Sequence, residues 1–120
     1  MVRFTPDVGK NRVIIQFAGS PGSSLAPEAE RELRASLARL RPPIDVLSDI
    51  RELQSLDQLD AADFRRISDI LREFGVKRVV RVVGKSAQAA VHMQRLSRHL
   101  NGHTAHLAFS MDEAEQVFNK

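Results

Sequence analysis

The sequence predicts an α/β fold: a mixed, mostly parallel five-stranded sheet with about four helices, opened by an N-terminal hairpin and continued by βαβα units. Three observations carry this. Strand-like runs alternate with apolar stripes at helical spacing, in the order β-β-α-β-α-β-α-β-α. Glycine, proline and capping residues stand at most junctions between them. The length, 120 residues, suits one domain with a core of its own.

Two apolar runs, Val2–Val8 and Arg12–Ala18, are separated by Gly9-Lys10-Asn11, which predicts a hairpin. Gly19–Ser24 reads as a loop. Pro27 suits a first helical turn, and Ala29, Leu33, Leu37 and Leu40 follow at helical spacing until Pro42-Pro43 stops the helix. Ile44–Ile50 is a short strand, and Arg51–Leu59 a polar connection. The next helix starts at Asp60, a candidate N-cap, with Leu59 and Phe64 placed for a hydrophobic staple. Its stripe is Phe64, Ile67, Leu71 and Phe74, and Gly75 closes it.

Val76–Val83 is β-branched almost throughout, as in a strand buried on both faces. Arg81 interrupts it and must find a carboxylate or reach solvent. Gly84-Lys85-Ser86 leads into a helix striped by Ala89, Met93, Leu96 and Leu100, which ends at Asn101-Gly102. His103–Phe109 alternates as a strand. Ser110-Met111-Asp112-Glu113 is a capping box before a last short helix with Ala114, Val117 and Phe118. Strands joined through helices pair in parallel by right-handed crossovers, so antiparallel pairing is needed only for the opening hairpin.

The net charge of +3 is unevenly placed. No Asp or Glu occurs between Phe74 and Met111, a block of formal charge +6 that leaves the remainder at −3. Residues 44–73 form the acidic counterpart. Such a split suits oriented docking on a charged partner; the alternative is that neighbouring elements neutralise one another. Nucleic acid is not the expected partner, because Tyr and Trp are absent and the six Phe fall at core positions. Cysteine is absent, no run is long enough to span a membrane, and the first residues lack an apolar signal-peptide core, so a cytoplasmic location is expected.

In open α/β sheets, ligands and partners bind at the carboxyl ends of the strands. Gly84-Lys85-Ser86 stands there, but a nucleotide-binding loop needs glycine at the position of Val79. What is left is a weaker anion or carboxylate site at Lys85 and Ser86. The histidines lack metal-ligand spacing, no serine lies in a nucleophile elbow, and capping explains Asp57 and Asp60. No catalytic residue, metal site or cofactor is expected, and the chain is not expected to be an enzyme.

The strand ending Phe17-Ala18-Gly19, the helix over 28–40, the strand reaching Asp49 and the final Phe109-Ser110-Met111-Asp112-Glu113-Ala114 together resemble the STAS superfamily, and more narrowly its SpoIIAA-like proteins. The resemblance spans nearly the whole chain. It implies a non-catalytic regulatory module that docks on kinases, anti-sigma factors or other regulators. It also implies a role for Asp49 as the family's strand aspartate and Asp57 as its loop aspartate. The family's phosphorylatable Ser or Thr should follow the latter, but this chain has Gln58, and the nearest hydroxyl is Ser55. The candidate partner- or anion-binding set is thus Asp49, Ser55, Asp57, Gln58, Gly84, Lys85 and Ser86. The alternative is a carrier of the same fold for a lipid or other small apolar ligand, since some SpoIIAA-like proteins are likened to lipid-binding domains. A homodimer stays open.

Overall fold

The computed structural model describes residues 2–19, 27–53, 61–84 and 104–119. Strands β1 (Val2–Asp7) and β2 (Arg12–Gly19) are followed by helix α1 (Pro27–Ala38) and strand β3 (Ile44–Leu53). Helix α2 (Ala61–Glu73), strands β4 (Val76–Val82) and β5 (Thr104–Ala108) and helix α3 (Met111–Phe118) complete them. The five strands form one sheet in the order β1-β2-β3-β4-β5. β1 pairs antiparallel with β2, and every other pair is parallel. The expected mixed α/β sheet is therefore present. Three α-helices lie among the described residues, against about four expected; the helix predicted after Ser86 falls outside them.

The alternation of each strand divides its side chains between two apolar clusters. Val13, Ile15, Val46 and Val79 pack with Leu33 and Leu37 of α1 and with Ile70 and Leu71 of α2. On the opposite face Leu47, Val80, Val82 and Ala108 pack with Ala114 and Phe118 of α3. Right-handed crossovers between strands added in sequence put both connecting helices on the same side, which is where α1 and α2 lie. β4 supplies both clusters through neighbouring residues, Val79 and Val80, and so is buried on both faces.

The hairpin turn is a single 3-10 turn, Val8–Lys10, closed by Asn11 in the left-handed region at φ 52°. The Asn11 amide donates to the carbonyls of Arg41 (2.6 Å) and Pro43 (3.0 Å), and its oxygen accepts from the Arg41 N–H. One side chain thereby ties the hairpin to the entry of β3. β3 runs three residues beyond the predicted Ile50, because a bulge sets Ile50 and Arg51 against Phe17 and pairing resumes at Glu52 and Leu53. The polar connection expected from Arg51 thus starts later.

α3 is capped as predicted at Ser110, whose hydroxyl accepts from the Glu113 N–H at 3.1 Å. The Glu113 carboxylate accepts from the Phe109 N–H, one residue earlier than the usual reciprocal bond. Phe109 corrects an expectation. It is not a core residue but 47% exposed, because it follows the end of β5, where Ala108 is the buried side chain.

Gly75 closes α2 at φ +82°, and a Cβ there would lie 2.9 Å from Pro42 Cβ. The left-handed backbone disfavours any side chain by roughly 1–2 kcal/mol, and the Pro42 ring adds a clash. Gly75→Ala is expected to lower the unfolding free energy by at least about 1 kcal/mol. Urea denaturation checks this, and an unchanged midpoint would show that the turn relaxes freely.

Candidate functional site

The carboxyl ends of β3 and β4 hold the described members of the predicted site. Asp49 is buried, and both its oxygens are used by Arg51. The Arg51 backbone N–H and Nε donate to Oδ1 at 3.1 and 2.9 Å, and Nη2 donates to Oδ2 at 2.9 Å. Burial pushes the Asp49 carboxyl up, but these bonds outweigh it and hold the group below its ordinary value. Gly84 sits beside this pair at φ +69°, where a Cβ would lie 3.5 Å from Arg51 Cγ. Asp49, Arg51 and Gly84 thus form one cluster, in which the carboxylate positions an arginine that stays 43% exposed. Ser55, Asp57, Gln58, Lys85 and Ser86 lie outside the described residues, as do the caps predicted at Asp60 and Ser86.

A second arrangement, on the face covered by α1 and α2, was not among the predicted sites. Register carries one row of side chains across all five strands: Phe4, Ile15, Ser48, Arg81 and Leu107. Two polar residues therefore stand side by side within an apolar row. α2 adds a third, Ser68, on its buried side next to Leu71. Ser48, Ser68 and Arg81 all line a cavity of about 30 Å³ between the sheet and α2, with walls that include Val46, Ile50 and Leu71. That volume holds roughly one or two water molecules. Phe17 and Ile67 are the only partly buried residues of its lining and so mark its mouth.

Arg81 is 4% exposed and does not reach solvent. The residue has an interaction within the protein, yet burial still pushes its pKa down to about 10. An arginine at that depth is costly to desolvate, and an apolar residue of similar volume is often as stable or more so. The signal in the sequence was a polar residue at an apolar position in each of three elements: Arg81 in a valine run, Ser48 in a strand, and Ser68 on a helix stripe.

The charge split dissolves over the described residues. In the basic block Arg78 is bonded twice to Asp45, at 3.1 and 2.8 Å, and Arg81 is buried. Of the three described cations of that block only Lys77 is exposed. In the acidic stretch Glu73 pairs with Arg34 and Asp49 with Arg51. Neighbouring elements neutralise one another here. Among the described residues no three His, Asp or Glu side chains converge as metal ligands would. No helix among them is long and apolar enough to cross a membrane.

No protein-family model matches the sequence, and no curated protein matches it.

Proposed function

We propose that the chain is a non-catalytic regulatory or protein-interaction module of the STAS, SpoIIAA-like type. The observation that carries this reading is the topology: an antiparallel opening pair, then parallel strands in sequence order, with α1 and α2 on one face and α3 on the other. The resemblance in sequence implies that architecture. The absence of Ser or Thr after Asp57 speaks for docking without the usual phosphorylation switch. The partner is a regulator such as a kinase or an anti-sigma factor, met at the carboxyl ends of the strands and along α2. Glu52, near the end of β3, and Asp69, on α2, are both exposed. Reversing both charges, Glu52→Lys with Asp69→Lys, is expected to abolish retention of a specific protein that the unaltered chain captures from its native lysate, while leaving the melting temperature within about 3 °C. Equal capture by both chains would sink this docking surface.

A second reading, a small-molecule carrier of the same fold, is favoured by one observation, the cavity beneath α2. Its polar floor and apolar walls match the make-up of ligand sites.

A further inference from the structure

We propose that the cavity between the sheet and α2 binds a small organic carboxylate with an apolar body, its carboxylate held by Arg81, Ser48 and Ser68 and its chain lying toward Phe17 and Ile67. The proposal rests on the carrier reading and names the class of ligand. Three polar side chains converge on one void whose other walls are aliphatic. Ser48 and Arg81 are register partners on adjacent strands, so their side chains stand next to each other on the same face. Ser68 reaches the same void from the helix above. All three are more than nine-tenths buried.

The chemistry of the trio selects the ligand. A guanidinium presents five N–H donors in a planar fork, and Arg81 also has an interaction within the protein. The two oxygens of a carboxylate match that fork, and serine hydroxyls donate to the same oxygens. A monoanion is also cheaper to desolvate than a dianion such as phosphate. Size sets the rest. About 30 Å³ accommodates a carboxylate head and not a whole lipid, so the apolar body must leave through the mouth. Phe17 and Ile67 are half-buried there and offer apolar contact to it.

Hexanoate, hexan-1-ol and inorganic phosphate separate the alternatives, with binding to the intact chain followed by calorimetry and by the shift in melting temperature. Hexanoate is expected to bind saturably and to raise the melting temperature, whereas phosphate does neither. Arg81→Met is expected to weaken hexanoate by roughly tenfold or more, since a hydrogen bond to a charged group is lost. Ser68→Ala, which removes one of the three polar groups without adding volume, is expected to weaken it as well and serves if Arg81→Met fails to fold. Hexan-1-ol binding as tightly as hexanoate would overturn the anion assignment and leave the carrier reading standing. Binding of none of the three would overturn both. Phosphate binding without hexanoate, or hexanoate binding that ignores both variants, would overturn the assignment to this cavity.

Discussion

Phe118→Ala is expected to lower the unfolding free energy by about 3–5 kcal/mol, the range for truncating a buried phenylalanine. The ring is 8% exposed and fills the cluster of Leu47, Val80, Val82 and Ala108. Two guanidinium groups lie over it, Arg12 at 4.1 Å and Arg78 at 5.1 Å from its centroid. Each is fixed elsewhere. Arg12 grips Glu115 with a bond of 2.6 Å, and Arg78 donates to the carbonyls of Val117 and Phe118. An eight-residue helix is marginal without tertiary contacts. Losing the ring therefore removes the packing, the cation–π contacts and the anchor of α3 together. Phe118→Leu keeps most of the apolar contact and is expected to cost about half as much. Urea denaturation of the three chains tests this, and a loss below about 1 kcal/mol in Phe118→Ala would show that α3 is held by other means.

The second large effect is expected at Asp49. Asp49→Ala removes the acceptor of three hydrogen bonds and leaves the Arg51 N–H and guanidinium to find others. Bonds to a charged group contribute about 1.5–3 kcal/mol where buried, and the partial exposure of Arg51 reduces this. A loss of about 2 kcal/mol is expected. The pH dependence is the sharper readout. An acid held below its unfolded pKa adds stability that is complete above the unfolded value, 3.8 for this carboxyl, and is lost as pH falls through the lower folded value. Glu115 and Glu30 are held low in the same sense, by Arg12 and by Arg66 respectively. The protein should therefore lose stability on acidification below about pH 4, and Asp49→Asn should flatten that decline without removing it. Identical acid profiles for the two chains would show that the Asp49–Arg51 pair contributes nothing net.

The element order was legible because its signals are local. The valine run of β4, the Ser110 cap and the Pro42-Pro43 stop each depend on residues within a turn or two. What escaped was set by pairing between distant segments. The bulge that lengthens β3 exists only against Phe17 of β2, and nothing near Arg51 announces it. The candidate site divides in the same way. Asp49 could be singled out at the end of a strand, but its use by Arg51 depends on how the bulge turns the chain. Arg81 was visible as a break in an apolar run. That it meets Ser48 is a matter of register between β3 and β4, and that Ser68 lies above them is a matter of how α2 packs. Over the described residues the charge count overstates the split because it ignores pairing: Arg78 and Asp45 are 33 positions apart and form a single neutral unit.

The grip of Arg12 on Glu115 spans 103 positions. The entropy of closing so long a loop must be overcome before the contact returns anything, which makes it a late event on the folding route. Among the described residues, one face of the sheet can assemble with α1 and α2 as each strand is added, while the other gains its helix only when α3 packs over Leu47 and Val80. Contacts absent from the transition state govern how fast a protein comes apart rather than how fast it forms. Contacts formed that late slow unfolding more than they speed folding, so the ring of Phe118 and the clamp beside it act as a brake on unfolding.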